Sequence, residues 1–405
     1  MKKVLFIFLV FTLALNLFAF GASEQSNSNA KFEELISGNS QFAIDMFLKI
    51  TESKKVDENI FFSPFSISTA LGMTYAGARG TTAQEMAKAL HFTLSQKDLH
   101  PLISDLLAEI NKGGDAYSLV TVNALWGQTG YPFNKEFKDL IKKYYDGGFK
   151  EVDFAGAIEK SRKIINDWVE KNTKHKIKDL LHKGDITPLT RLVLTNAIYF
   201  KGSWEEEFDK KLTSEEKFYT ESKKSIKVDM MHKIAKFNYF EGKDFQTVEL
   251  PYKGDKLSMM IILPTDRDGI KDLEKQFTLK NLNTWRNNLR KEKINLSIPK
   301  FTINTRYYMK EYFKKLGMKL AFTNGADLSG IEPQKELYIY KIIHQAFVEV
   351  NEEGTEAAAA TAVVVNLKSV PRPIPKFTAD HPFIFLIIYK PNNSILFLGE
   401  VVNPK

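Results

Sequence analysis

The chain contains no cysteine in its 405 residues. This absence excludes disulfide bonds, thiolate metal ligands, a cysteine nucleophile and lipid attachment to an N-terminal cysteine. The folded protein must therefore depend on its packed core, and a chain of this length is ample for one. With 43% hydrophobic and 26% charged residues, the composition is typical of a soluble globular protein.

The common catalytic signatures are also missing. There is no Gly-x-Ser-x-Gly elbow, phosphate-binding loop, His-Glu-x-x-His helix or dinucleotide-binding glycine fingerprint. The seven histidines show no metal-ligand spacing on one helix face, so we expect no metal and no cofactor. A Ser/His/Asp set assembled from distant positions stays open, but we predict that the protein is not an enzyme and has no catalytic residue.

Concentrated charge is missing as well. The formal net charge is +8, but the lysines are scattered and mixed with glutamates. Such a pattern usually forms a solvated surface, whereas a nucleic-acid site needs a basic stripe with aromatic or arginine partners. We therefore expect no nucleic-acid partner.

The N-terminus differs from the rest of the chain. Lys2 and Lys3 precede an apolar run over residues 4–20, and Gly21-Ala22 then leads into a polar tract. A basic start, an apolar block and small residues predict a secretory signal peptide over residues 1–22. The alternative is an uncleaved anchor, although the run is short for a membrane span. We expect a secreted protein with no membrane association after cleavage.

The remaining pattern predicts helices first and strands later, with no linker and no repeat. Ser63-Pro64 predicts the start of a helix that is buried on all sides, and Thr82 with Glu85 predicts a capping box for the next helix. Residues 383–389 and 395–402 predict a buried hairpin. This order indicates an α+β protein with antiparallel or mixed sheets. We divide it into a flexible segment, 23–35, and a single domain, 36–405.

The stretch from Glu352 to Ser369 has conflicting local preferences. Four consecutive alanines, residues 357–360, favour a helix, whereas Thr361 and the three valines at 363–365 favour a strand. Alternate residues from Thr355 to Val365 are all small or β-branched and uncharged, so one face of a strand could enter a tight core. An exposed helix or an Ala-rich loop is the alternative.

Six segments in this order resemble the serpin family, and the resemblance extends in register from about residue 32 to the C-terminus. They are Asn59–Ser68, Asn196–Trp204, Asn324–Gly330, His344–Thr361, Ala379–Phe383 and Leu398–Pro404. The resemblance implies about nine helices and three β-sheets in one domain, with an exposed reactive-centre loop over about residues 352–375. The cysteine-free, Lys- and Glu-rich composition would suit a thermophilic microbe, so we expect a prokaryotic inhibitory member.

Residue roles follow from the matching motifs, as the resemblance implies them. The loop hinge comprises Gly354, Thr355, Glu356, Ala357, Ala358, Ala359, Ala360 and Thr361. A polar cluster beneath the central strands, the shutter, comprises Ser63, Ser66, Asn196 and His344. The breach, where loop insertion starts, comprises Trp204, Lys300 and Glu352, with Glu352 expected to pair with Lys300.

By the same resemblance, the protein is a metastable suicide substrate that forms a covalent acyl-enzyme with a serine protease and then inserts its loop into the central sheet. Counting from Glu352 places the scissile bond at Lys368-Ser369, which suits a trypsin-like target; Leu367 and Arg372 are alternative cleavage positions. We expect a monomer. The other hypothesis is a non-inhibitory serpin acting as a carrier, chaperone or storage protein.

Overall fold

The structure is a computed structural model that describes residues 2–112, 117–145, 148–355 and 373–405, with side chains from residue 27 onward. The helices of this part are α1 (Lys2–Thr51), α2 (Pro64–Gly77), α3 (Gly80–Leu90), α4 (Gln96–Asn111), α5 (Lys135–Tyr144), α6 (Ile158–Asn172), α7 (Ile270–Gln276), α8 (Leu279–Asn287) and α9 (Lys310–Lys315). The first ten strands are β1 (Ile60–Phe62), β2 (Tyr117–Gln128), β3 (Phe149–Val152), β4 (Leu192–Ser203), β5 (Ser214–Tyr219), β6 (Ser225–Glu241), β7 (Phe245–Pro251), β8 (Leu257–Pro264), β9 (Arg290–Pro299) and β10 (Phe301–Tyr308). The last five are β11 (Lys341–Val350), β12 (Gly354–Thr355), β13 (Lys376–Thr378), β14 (Phe383–Tyr389) and β15 (Ser394–Val401). The predicted α+β class is confirmed.

The strands connect into two hydrogen-bonded sheets. The nine-stranded sheet has the order β1-β15-β14-β8-β7-β6-β9-β13, with β5 on β6. The six-stranded sheet has the order β10-β11-β4-β2-β3, with β12 on β4. Strand β6 has 17 residues and pairs with β5, β9 and β7 at successive positions, so it joins into one sheet what would otherwise be two.

The six-stranded sheet separates two hydrophobic clusters. Along β4, Leu194 and Ile198 face the larger cluster, which also contains the strands of the other sheet. Their neighbours Val193 and Ala197 face a smaller cluster beneath α6. Successive side chains of a strand point to opposite faces, so β4 is buried on both sides.

Helix α2 lies inside the larger cluster, and all 14 of its residues are buried. Ser63 is its N-cap and accepts a hydrogen bond from the backbone N–H of Ser66, and Pro64 is the first helical residue. Both features were predicted and are confirmed. The hairpin of β14 and β15 is confirmed as well.

The predicted capping box at Thr82 and Glu85 is wrong, because α3 already begins at Gly80 and its N-cap is Arg79. Thr82 instead accepts a hydrogen bond from the backbone N–H of Asp327, and Glu85 accepts from the N–H groups that follow α9. Tertiary partners therefore replaced the local cap.

Pro299 divides one apolar run into two strands that belong to different sheets. Strand β9 ends at Pro299 in the nine-stranded sheet, and β10 begins at Phe301 in the six-stranded sheet. Lys300 lies between the two strands, and its backbone N–H donates to the backbone carbonyl oxygen of Asp229 at 2.8 Å. This corner brings the Lys300 side chain to the end of the six-stranded sheet.

The N-terminal helix α1 runs from Lys2 to Thr51 and passes through the predicted boundaries at residues 22 and 35. The division into 1–22, 23–35 and a domain 36–405 stays a prediction. In the part of the chain with described side chains, no helix is both long and apolar enough to cross a membrane.

A buried group of charges surrounds Glu400 in β15. Glu400 is fully buried, and the ammonium of Lys54 lies 3.2 Å from its Oε1. Lys54 and Lys271 both pair with Glu221, and Lys271 also pairs with Glu274. Three carboxylates thus face two ammonium groups. Burial raises the pKa of Glu400 to about 7, and the nearby Lys54 only partly opposes this.

We expect Glu400→Gln to stabilise the protein at pH 8 but not at pH 4.5. Because the folded-state pKa lies above the ordinary value of 4.5, the stability that Glu400 contributes is complete below pH 4.5 and is lost as the pH rises through 7. Glutamine does not titrate, so its advantage should grow with pH to on the order of 2–3 kcal/mol.

Urea titrations of both proteins at several pH values measure this advantage. Glu136→Gln, on the exposed face of α5, is the control and should show little pH-dependent difference. An advantage of Glu400→Gln that does not change with pH would contradict the prediction.

Candidate functional site

The candidate site begins where β4 and β11 separate. These strands pair in parallel from Val193 opposite Lys341 to Tyr199 opposite Phe347. Beyond that level, β12 takes the place beside β4: it is antiparallel, with Gly354 opposite Ser203 and Thr355 opposite Gly202. The two central strands thus already admit another strand at one end.

A tight turn leads the chain from β11 into β12. The backbone N–H and C=O groups of Asn351 and Gly354 exchange hydrogen bonds of 2.9 and 3.2 Å. Gly354 has φ +138°, and an added Cβ would lie 2.3 Å from the carbonyl oxygen of Gly202. Only glycine fits this conformation and this close approach.

Thr355 is fully buried, although we expected the stretch from Glu352 to be exposed before cleavage. Its hydroxyl shares a 3.0 Å hydrogen bond with the hydroxyl of Tyr252. The ladder to β4 and this hydrogen bond explain why the first hinge residues are inside the protein. The prediction that the loop is exposed from residue 352 onward is therefore wrong for Glu352, Gly354 and Thr355, which are all buried.

Glu352 is buried in the same turn and has two side-chain partners. Its carboxylate accepts a 2.8 Å hydrogen bond from Thr213 and lies 3.2 Å from the ammonium of Lys300. Burial alone would raise the pKa of Glu352, but hydrogen bonds from its own backbone N–H, Thr213 and Lys300 outweigh burial and hold this pKa below its ordinary value. The carboxylate is therefore ionised at neutral pH and holds the turn against the corner at Lys300.

Trp204 closes this end of the sheet. Its indole N–H donates to the carbonyl oxygen of Asn351 at 3.0 Å, and its ring stacks on Tyr252 with centroids 4.6 Å apart. Tyr252 therefore contacts both Trp204 and Thr355. The structure thus brings Trp204, Lys300 and Glu352 together around the turn.

Ser63, Ser66, Asn196 and His344 form a single buried cluster between α2 and the two central strands. The backbone N–H of Ser63 donates to His344 Nε2 at 3.1 Å, so Nδ1 carries the proton and donates to Asn196 Oδ1. The Asn196 amide donates to Ser66 Oγ at 2.6 Å. Burial lowers the pKa of His344 to about 3, which keeps the ring neutral.

Sequence reasoning missed a fifth member, Asn123 of β2. Its Oδ1 accepts hydrogen bonds from Asn196 and from Ser66, and its amide donates to the carbonyl oxygen of Ser66. The signal was available, since Asn123 interrupts a mostly apolar strand as Asn196 does. The cluster therefore connects β2, β4 and β11 to α2.

We expect Ser63→Ala to lower the free energy of unfolding by about 1–3 kcal/mol, because it removes the cap of α2 and leaves the buried carbonyl of Leu396 without its 2.6 Å donor. Urea unfolding measures the loss. Ser95→Ala, which removes the exposed cap of α4, is the matched control and should lose less. Equal losses would show that the buried contacts of Ser63 add nothing.

Several predicted residues lie outside the described residues. They are Glu356, Ala357, Ala358, Ala359, Ala360, Thr361, Lys368 and Ser369, together with the alternative cleavage positions Leu367 and Arg372. Their roles remain predictions. Among the described residues, no three His, Asp or Glu side chains gather as a metal site.

The comparison with protein families decides the identity. The sequence profile described as "Serpin (serine protease inhibitor)" matches residues 37–404. The chain belongs to the serpin family. Leukocyte elastase inhibitor A of Rattus norvegicus is 43% identical over 381 residues, which are 92% of this chain and 100% of that protein. Serpin B4 of Homo sapiens is 42% identical, over 91% of this chain and 99% of its own length.

Solved serpin structures agree with the fold. The crystal structure of uncleaved ovalbumin superposes with a TM-score of 0.83 at 29% sequence identity, covering 92% of this chain and 100% of ovalbumin. The serpin fold inferred from the sequence motifs is confirmed.

Three sequence-based expectations are corrected by the same comparison. Secretion is wrong, because the serpins that match over their whole length have no counterpart of the N-terminal residues from which it was inferred. A prokaryotic source is not supported, since these relatives come from mammals. The expectation that the protein is not an enzyme was based only on missing motifs. The family match replaces it with a direct assignment, because the chain is a serpin and this family is described as serine protease inhibitors.

Proposed function

We propose that this serpin inhibits trypsin-like serine proteases as a suicide substrate and inserts its cleaved loop between β4 and β11. The observation that carries the proposal is β12, which already pairs antiparallel with β4 beside the point where the two central strands separate.

The register of β12 defines where each later residue would lie. In an antiparallel ladder, each residue further along the loop faces one residue earlier in β4. Continuing from Thr355 opposite Gly202 brings Thr361 opposite Asn196 and Val365 opposite Leu192. The insertion would therefore be complete at the first residue of β4.

The same register separates the two faces of the inserted strand. Thr355 faces the larger hydrophobic cluster, so every second residue from Ala357 to Val365 would face it too. These residues are small or β-branched, and they suit a space between packed strands. The ladder bonds added along both edges are each worth about 1 kcal/mol net, and they provide the driving force of a metastable starting state.

Thr361 would reach the buried cluster. It would enter between Asn196 and His344, which are hydrogen-bonded to each other before insertion. Its hydroxyl can donate and accept, so it can replace the bond that its entry breaks. Insertion would thereby separate the strands without leaving buried polar groups unpaired.

The chemistry at the loop is acyl transfer. The protease serine attacks the carbonyl carbon of Lys368, an ester forms, and the peptide bond breaks with release of the amine of Ser369. The lysine side chain suits the acidic specificity pocket of trypsin-like enzymes. Insertion then competes with hydrolysis of the ester, and fast insertion keeps the protease covalently attached.

The names of the relatives favour a second target class. One of the two relatives named above is a leukocyte elastase inhibitor, which suggests an elastase-like protease and cleavage at Leu367. A non-inhibitory serpin is less compatible with this chain, because the hinge beyond Thr355 consists almost wholly of alanine and threonine rather than bulky or charged residues.

The test is to mix the purified protein with trypsin and, separately, with leukocyte elastase, and to look for covalent complexes on a denaturing gel. We expect a complex with trypsin and none with trypsin lacking its active-site serine. A complex with elastase alone would replace the trypsin assignment. Cleavage without a complex and without a gain in thermal stability would contradict inhibition.

A further inference from the structure

One face of β6 and β9 collects lysines that are scattered in the sequence. The two strands pair antiparallel, and residues directly opposite each other, like every second residue along a strand, point to the same side of a sheet. The opposed pairs on this side are Ile234 with Asn295, Lys236 with Lys293, and Asn238 with Lys291. Three lysines from two strands therefore lie side by side.

Strand β13 extends this face toward the reactive-centre loop. It lies parallel to β9 with Lys376 opposite Asn295, and the backbone N–H of Asn295 donates to the carbonyl oxygen of Pro375 at 2.9 Å. Because the strands are parallel, each step back from Lys376 is also a step back along β9. Continuing this register places Ile374 at the level of Lys293. The chain therefore enters β13 alongside the lysines.

The charges of this face are not balanced by ion pairs. The four lysines on it are Lys236, Lys291, Lys293 and Lys376. All are exposed, and none forms an ion pair within the described part of the chain. Glu292 lies between two of them in the sequence but is opposite Phe237, so it points to the other side of the sheet. We call these four lysines, together with Ile234, the lysine face.

Two carboxylates at the ends of the lysine face already have partners. Glu249 lies opposite Asn238 and accepts a 2.8 Å hydrogen bond from its amide. At the other end, Glu216 lies 2.8 Å from His232, two residues before Ile234. Four ammonium groups thus exceed two engaged carboxylates, and the lysine face should attract an acidic partner.

The centre of the lysine face is apolar. Ile234 is 57% exposed and has lysines on both sides, at Lys236 and Lys376. An apolar centre with a charged rim is the arrangement of an interface between proteins, whereas a polyanion would be bound through the cations alone. The position beside the strand that follows the loop indicates which protein this is, namely the protease that the loop would bind.

We propose that the lysine face is a second contact surface for the target protease and favours a trypsin-like protease with an acidic surface beside its active-site cleft. This inference rests on the proposed function, because the loop would bring the protease to this end of the molecule. Exposed charges act mainly on the rate of association. The lysine face should therefore speed the encounter and leave the later trapping step unchanged.

The test compares the cationic and anionic isoforms of trypsin, which cleave after the same residues but carry opposite net charge. The measurement is the second-order rate constant for attack on the loop, followed as loss of trypsin activity or, without trapping, as loop cleavage. We expect Lys236→Ala/Lys291→Ala/Lys293→Ala to lower it about tenfold for anionic trypsin and not to lower it for cationic trypsin. The difference should disappear at about 1 M salt, where the screening length is about 3 Å.

The matched control is Lys142→Ala/Lys143→Ala/Lys160→Ala, which removes the same charge from exposed positions of α5 and α6. It should leave both rate constants unchanged. The proposal is overturned if the two triple variants act alike on anionic trypsin, or if the lysine-face variant slows both isoforms equally. Unchanged trypsin rates combined with lost binding of dextran sulfate would make the face a polyanion site instead, which also overturns the proposal.

This outcome can be separated from that of the proposed function. Cleavage of the loop without a covalent complex would contradict inhibition, but the comparison of cleavage rates between the isoforms would still decide whether the lysine face acts. If neither isoform attacked the loop, both proposals would be wrong.

Discussion

On the proposed inhibitory function, replacing Thr355 by arginine should convert the protein from an inhibitor of its target protease into a substrate that is cut and released. Thr355 is fully buried, lies opposite Gly202 and shares a hydrogen bond with Tyr252. The space is narrow, since even a Cβ added to Gly202 would come within 2.9 Å of the Tyr252 ring. A guanidinium group cannot be buried there without a partner.

The effect should be large because inhibition depends on relative rates. Each 1.4 kcal/mol or so added to the insertion barrier slows insertion about tenfold, whereas hydrolysis of the ester is unchanged. The number of inhibitor molecules consumed per trypsin trapped should therefore rise many-fold. Titration of trypsin activity, with a denaturing gel to count complexes, measures this number.

Two control variants test whether the loss of inhibition comes from a charge buried at position 355. Thr355→Ser retains the hydroxyl group and should remain an inhibitor. Thr302→Arg places the same side chain at an exposed position of β10 and should also inhibit. If Thr355→Arg trapped trypsin with unchanged efficiency, insertion beside β4 would not be the mechanism.

Lys368→Ala should abolish the trapping of trypsin, because it removes the cation that the acidic specificity pocket binds. The protein should remain folded with an unchanged thermal midpoint, since the substitution lies beyond Val365, the last residue that the register pairs with β4. The rate constant for inhibition of trypsin is the measurement.

Leu367→Ala and Arg372→Ala are matched variants at the alternative cleavage positions. Both should trap trypsin at the rate of the parent protein. If Arg372→Ala lost trapping while Lys368→Ala retained it, the scissile bond would lie four residues later. Mass spectrometry of the released C-terminal fragment identifies the bond independently.

Local signals in the sequence were reliable where the partner residues lie nearby in the chain. Ser63 and Pro64 specify the start of α2 because the cap, the fixed φ and the first turn involve neighbouring residues. The same reasoning was wrong for Thr82 and Glu85, whose hydrogen bonds go to residues more than 200 positions away. Nothing in a local pattern can reveal such a partner.

In the candidate site, too, partners that are distant in the chain could not be predicted from local patterns. The pairing of Glu352 with Lys300 was an expectation from family resemblance, because neither residue carries a local signal of the other. Asn123 could have been found, since an isolated asparagine in an apolar strand must be hydrogen-bonded when buried. The burial of Thr355 could not, because it depends on Tyr252 and on the register with Gly202.

The length of β4 also determines where a trapped protease would come to rest. Its 12 residues, at about 3.3 Å per residue, extend over roughly 40 Å. On the register of β12, a protease joined to Lys368 would finish just beyond the end of β4 at Leu192. The resting position would thus be determined by the sheet rather than by the protease, so proteases of different size and shape would be carried to the same end of the sheet.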